Sequence, residues 1–129
     1  MRKETSTAIK SGEFSQQFQF SQQQERQKYL QQLFNKIKQK GKQIVNSNNI
    51  HDINQYKKLI KEYLSFILRS AYSVDPGIMS SQGRYLSVVK VVDEELAELG
   101  KLMLEKEKDT LALVQKISKI EGLLLDIYQ

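Results

Sequence analysis

The sequence predicts an all-α protein: a four-helix bundle of the up-and-down type with a loose, Gln-rich N-terminal arm. Three observations lead there. Apolar residues recur at steps of three and four along four stretches. Clusters of turn and capping residues separate those stretches. The last stretch is apolar over an arc too wide for a two-stranded coil. A chain of 129 residues suits one domain with a genuine core. Residues 1–20 are expected as a flexible arm and residues 21–129 as the bundle, with helices over about 22–45, 50–72, 84–105 and 110–128.

Nine glutamines fall between Gln16 and Gln32, interleaved with Phe18 and Phe20, and Phe14 precedes them; because Gln is a fair helix former the stretch reads either as a frayed helix start or as a loose arm. A disordered tail is the simpler expectation for such a terminus. The sharper one is an arm whose Phe14 and Phe18, one helical turn apart, dock on the bundle or on a partner. In the first helix Leu30, Leu33, Phe34, Ile37, Ile44 and Val45 keep the helical step, and Gly41 admits a bend. The NSNN cluster then ends it. Asn49 is placed to cap the second helix, with Asp52 near its positive end. That helix carries a broad stripe, including Ile53, Tyr56, Ile60, Tyr63 and Leu64, and a lysine-rich polar face. It stops before SVDPGIMSSQG, which holds the sole proline.

From Gly83 the pattern changes. Tyr85, Val89, Val92, Leu96, Leu99 and Met103 step by four and three, and Leu113, Ile117, Ile120, Leu124 and Ile127 repeat the step. Both sets share one heptad register, so two architectures follow. One is a single helix of about 44 residues, roughly 65 Å long, in a coiled coil. The other is an antiparallel hairpin broken at EKEKDT, where Asp109 or Thr110 caps a new helix. Leu111, Val114, Leu125 and Tyr128 widen the apolar arc of the last helix to about 200°. Burial of that arc inside a bundle favours the hairpin.

Composition excludes several classes. There are no cysteines, so neither disulfides nor thiolate metal sites arise. The start has charges but no apolar stretch behind them, unlike a secretory signal. No apolar run is long enough to span a bilayer, and a soluble cytoplasmic protein without membrane insertion is the expectation. The net charge of +5 is uneven: residues 1–82 hold thirteen Lys/Arg against six Asp/Glu, and residues 83–129 seven against nine. The basic half most simply solvates helix faces. Lys36, Lys40, Lys57, Lys58 and Lys61 nonetheless form a candidate surface for an anionic partner. Without exposed aromatics to stack bases, such a surface would hold nucleic acid only unspecifically.

Catalysis is not expected. His51 is the only histidine, and no Glu-x-x-His pair of the di-iron bundle type occurs. Asp93-Glu94-Glu95-Glu98 and Glu105-Glu107-Asp109 read as solvated faces, because they lack the alternating loop ligands of a calcium site. The glycines match no phosphate or dinucleotide loop. No cofactor or metal is implied.

The stretches GRYLSVVKVVDEELAEL and EKDTLALVQKISKIEGLLLDIY closely resemble the bacterial YaaR family. Its members open the third helix on a Gly-Arg pair and end on a Gly-Leu-Leu-hydrophobic-Asp/Asn-hydrophobic-Tyr tail. Here those positions are Gly83 and Arg84, then Gly122, Leu123, Leu124, Asp126 and Tyr128. Asp93, Leu96, Leu99, Glu107, Ile117 and Ile120 fall in step without a gap. The likeness covers residues 83–128, extends to Tyr56-Lys57 in the second helix, and fades in the Gln-rich start. It implies a small all-α four-helix bundle of unknown function and brings no enzymatic activity.

A hairpin turning near residues 106–109 would set Arg84 level with the chain end, beside the last carbonyls, Asp126 and the terminal carboxylate. Gly83, Arg84, Gly122, Leu123, Asp126 and Tyr128 are therefore expected as one structural or interaction cluster. Arg84 either caps the hairpin or marks an anion or partner site. Gly122, on the side away from the seam, would let another backbone approach. A non-enzymatic binding or scaffold protein follows, with a protein partner of unknown identity or a homo-oligomer. The alternative is a nucleic-acid-binding accessory protein using the basic surface of the first two helices.

Overall fold

The computed structural model describes the backbone of residues 2–47, 49–74 and 79–128, and the side-chain surroundings of residues 16–47, 49–70 and 83–128. Four helices follow in order: α1 Arg2–Asn46, α2 Ile50–Val74, α3 Met79–Met103 and α4 Thr110–Tyr128. No strand occurs among the described residues. The protein is all-α, a helical bundle. The chain divides into two units, Met1–Gln32 and Leu33–Gln129.

The first unit is the N-terminal part of α1. The sequence places an arm over residues 1–20 and starts the helix near 22, whereas α1 runs as helix from Arg2. The physical reason is local. Gln, Lys, Glu and Ala all favour helix, and the only proline lies far downstream at Pro76. No proline interrupts the stretch and Gly12 costs only about 1 kcal/mol, although its apolar rhythm is lost. Phe18 and Phe20 are exposed and Leu30 is buried. The side chain of Phe14, the other half of the expected docking pair, lies outside the described residues.

The second unit holds the rest of α1 with α2, α3 and α4. Its core takes Leu33, Ile37 and Ile44 from α1, and Ile53, Tyr56, Ile60, Tyr63 and Leu64 from α2. Val92, Leu96, Leu99 and Met103 of α3 join Leu113, Ile117, Ile120 and Leu124 of α4. Those last two sets are the shared heptad. They meet because α3 and α4 pack as a hairpin, not as one long helix. The break has two causes. The end of α3 tightens through i→i+3 bonds, Leu104 N to Lys101 O and Glu105 N to Leu102 O. Asp109 then caps α4, its Oδ1 accepting from Ala112 N at 3.0 Å.

The turn between α1 and α2 is built as its residues suggest. Asn49 Oδ1 accepts from His51 N at 3.0 Å, the expected N-cap. Ser47 N and Oγ both donate to Gln43 O, at 2.7 and 2.8 Å. Ser47 Oγ also bonds Asp52 Oδ2. Lys40 Nζ donates to Gln55 Oε1 at 2.6 Å and Gln43 Oε1 at 2.7 Å, and sits 3.6 Å from Asp52 Oδ1. Two tyrosine hydroxyls staple the helices further along: Tyr85 Oη donates to Leu64 O at 2.9 Å, and Tyr63 Oη to Leu124 O at 3.3 Å.

Candidate functional site

α4 is apolar on two sides, and only one of them is used by the fold. Leu113, Ile117, Ile120 and Leu124 are buried. The sequence expects Leu111, Val114, Leu125 and Tyr128 to be covered by neighbouring helices as well. They are not: Leu111 is 67% exposed, Leu125 46%, Val114 41% and Tyr128 40%. The reason is positional. At 100° per residue, Leu111, Val114, Ser118, Gly122 and Leu125 cluster around a line about 120° from the centre of the buried face. A helix at the side of a bundle cannot bury both directions. Ser118 and Gly122 are exposed as well, so the outer stripe is apolar with a shallow middle.

The flank of α4 facing α3 carries charge. Glu95 Oε2 accepts from Lys116 Nζ at 2.9 Å and Oε1 from Lys119 Nζ at 2.8 Å, while Lys116 also bonds Glu98. Glu95 was expected on a solvated face; instead it is buried. It sits next to the seam, and the chains of the two lysines that bind it cover it near the surface of the helix pair. The hydrogen bonds from Lys119 and then Lys116 hold its carboxyl below the usual carboxylate range. This arrangement clamps the hairpin and leaves the outer stripe clear.

A second polar node lies where α1, α2 and α4 converge. A Cβ placed on Gly41 would fall 2.9 Å from Ile117 Cγ2, 3.5 Å from Glu121 Oε1 and 3.7 Å from Tyr56 Cε1. Gly41 therefore serves close approach of helices, and no bend is needed to explain it. The Tyr56 hydroxyl is buried and makes no hydrogen bond among the described residues. Burial, then the charge of Glu121, pushes its phenol up. Burial also raises the Glu121 carboxyl, against the pull of Lys38 and Lys42. Burial likewise pushes the Tyr63 phenol up to about 12, with Tyr128 adding to it. Tyr56 and Tyr63 are core residues, as their spacing predicts, and offer no face for stacking a base.

Of the cluster expected at the chain end, Gly83, Arg84, Gly122, Asp126 and Tyr128 are exposed and Leu123 is half-buried. Arg84 and Asp126 form no ion pair with each other. Gln129 lies outside the described residues, and with it the carboxylate expected there. No atom of this chain among the described residues comes within 4 Å of a Cβ built on Gly83 or Gly122, so the close approach expected at Gly122 is not made within the chain. Of the lysines, Lys36, Lys57, Lys58 and Lys61 are exposed, while Lys40 is half-buried in the α1–α2 turn, where Asp52 and two glutamines occupy its charge. Among the described residues no group of three His, Cys, Asp or Glu could hold a metal ion. No described helix is long and apolar enough to cross a membrane.

The family described as "Protein of unknown function (DUF327)" matches residues 1–128. The chain belongs to that family. It is 27% identical over 128 residues to the "Uncharacterized protein YaaR" of Bacillus subtilis (strain 168), across 94% of this chain and 88% of that protein. The resemblance read from Gly83-Arg84 and the Gly122–Tyr128 tail thus extends over the Gln-rich start, where the sequence reading lost it. Two solved structures are similar. Protein TM1646 from Thermotoga maritima, also DUF327, aligns with TM-score 0.75 at 27% identity, covering 89% of this chain and 97% of that one. The uncharacterized protein BH1478 from Bacillus halodurans aligns with TM-score 0.73 at 28% identity, covering 82% and 89%. DUF327 membership carries the fold and leaves function to be argued from this chain's own surface.

Proposed function

We propose that this DUF327 protein is a non-enzymatic binding or scaffold protein, and that the outer stripe of α4 is where a protein partner docks. One observation carries the reading: Leu111, Val114 and Leu125 stand exposed along one line of a helix whose core-facing side is buried. Scattered exposed leucines are ordinary on a protein surface, whereas an aligned apolar stripe is the usual form of a helix-docking surface.

The test is affinity capture from native cells with the tagged chain and its Leu125→Asp variant, each with and without nuclease, read by mass spectrometry. A protein retained by the chain in both conditions and lost by the variant is the expected result. A catch that the variant retains but nuclease removes would contradict it and favour the exposed lysines Lys36, Lys57, Lys58 and Lys61 as a phosphate-attracting surface. Steep loss of that catch with salt would accompany such an outcome.

A further inference from the structure

Taking the outer α4 stripe as a docking surface, we infer that its occupant is the same stripe of a second copy of this chain, packed antiparallel across a two-fold axis at Ser118. The inference rests on the reading above and adds the identity of the partner. In this register Leu111 of one copy faces Leu125 of the other, twice. Val114 faces Gly122, twice, and Ser118 faces Ser118. Each bulky residue at the ends meets its like, and the Val114 side chain enters the space that Gly122 leaves open. That space is open among the described residues of the single chain, where a Cβ built on Gly122 meets nothing within 4 Å outside its own helix backbone. A two-fold interface must be self-complementary in this way, residue i meeting j while j meets i.

Charge agrees with the shape. Asp126 stands in the last turn of α4, where an acid opposes the dipole of its own helix. Lys108 stands just before the first turn of α4. Both are exposed, and neither enters an ion pair among the described residues. Antiparallel pairing sets Asp126 of one copy beside the N-terminal end of the other copy's α4 and its Lys108. The dipole and Lys108 favour the acid there, while the Asp109 carboxylate that caps the same end opposes it, twice per dimer. A parallel pairing would bring Asp126 next to Asp126.

Area sets the strength. A helix of 19 residues is about 28 Å long, and a stripe roughly 10 Å wide along it offers about 300 Å² per copy, against the ~800 Å² of a standard stable interface. The dimer is accordingly weak and reversible, forming as concentration rises and leaving the stripe available on dilution.

The chain has no cysteine, so single cysteines report the register directly. Helix axes about 8–10 Å apart, with Cα atoms ~2.3 Å off axis, bring facing Cα atoms within the roughly 4.4–6.8 Å reach of a disulfide. Under mild oxidation the Ser118→Cys chain is expected to form a covalent dimer. Leu111→Cys and Leu125→Cys should each stay monomeric alone and cross-link when mixed. Ser87→Cys, on an exposed position of α3, serves as the collision control. Adding Gly122→Leu or Leu125→Asp to the Ser118→Cys chain should abolish its cross-link, with circular dichroism confirming the helix content. Cross-linking no faster at Ser118→Cys than at Ser87→Cys would overturn the inference. So would self-cross-linking of Leu111→Cys alone, which marks a parallel pair. If these fail while Leu125→Asp still loses a captured partner, the stripe binds another protein and only the second copy is ruled out. If capture is unaffected too, both readings fall.

Discussion

The two faces of α4 carry similar apolar side chains and differ in burial. Leu113, Ile117, Ile120 and Leu124 are buried; Leu111, Val114 and Leu125, drawn from the same short list of side chains, are exposed. Two glycines repeat the contrast. Gly41 lies against the inner face, where an added methyl would collide with Ile117, and Gly122 lies on the outer face, where it would meet nothing. Residue type therefore does not separate buried from exposed positions in this helix. Direction does, because one helix at the side of a bundle can bury only one arc.

The sharpest way to break that comparison is to truncate sequence neighbours that point about 100° apart, one into the core and one out of it. Leu124→Ala should cost about 2–5 kcal/mol through lost burial and the cavity left behind. Leu125→Ala should stay within about 0.5 kcal/mol. Denaturant unfolding of both variants checks this, and similar losses would show that the outer face also belongs to the core. The glycines come next. Gly41→Ala gains about 1 kcal/mol of helix propensity but forces a methyl against a stiff, β-branched Ile117, an overpacking cost of roughly 1–3 kcal/mol. Its melting temperature should fall. Gly122→Ala has the propensity gain alone, so its melting temperature should rise.

Two carboxylates, the buried Glu95 and the half-buried Glu121, give a smaller effect with opposite signs. Glu95 is held ionised by Lys119 and Lys116, with its folded pKa lowered. Its stabilisation is present above the unfolded carboxylate pKa of about 4.3 and is lost as pH falls through the lower folded value. Glu95→Gln should therefore melt below the unsubstituted chain at neutral pH, the difference closing in acid. Glu121 has its folded pKa raised, chiefly by burial. Its ionised form costs stability above that value, and the cost disappears below the unfolded pKa. Glu121→Gln should melt higher at neutral pH and lose that advantage in acid. Melting curves across pH for both variants would expose an error in either sign.

Much of this fold is legible in the sequence, because heptad spacing and capping residues are local signals. The seam from Val92 to Leu124, the Asn49 and Asp109 caps, and the buried Tyr56 and Tyr63 all follow from spacing or side-chain chemistry. The start of α1 does not, since glutamine-rich helix lacks the apolar rhythm that marks a helix. Nor does the exposure of the outer α4 stripe: periodicity says that Leu111 and Leu125 are apolar and aligned, but not how many neighbours surround the helix. The role of Gly41 depends on Ile117, 76 residues away, and no local pattern announces such a pair. The Glu95 clamp was within reach. A hairpin folded about residues 104–109 brings Glu95 level with Lys116 and Lys119, and oppositely charged residues beside a heptad seam commonly pair.

The most direct test of a helix with one face committed to folding and the other to association is sedimentation of the unsubstituted chain and of Leu125→Asp across a dilution series, with melting curves on the same samples. The expected result is a chain that moves from monomer to dimer as concentration rises, beside a variant that stays monomeric and melts at the same temperature. A chain monomeric at every concentration, or a variant that melts markedly earlier, would contradict it.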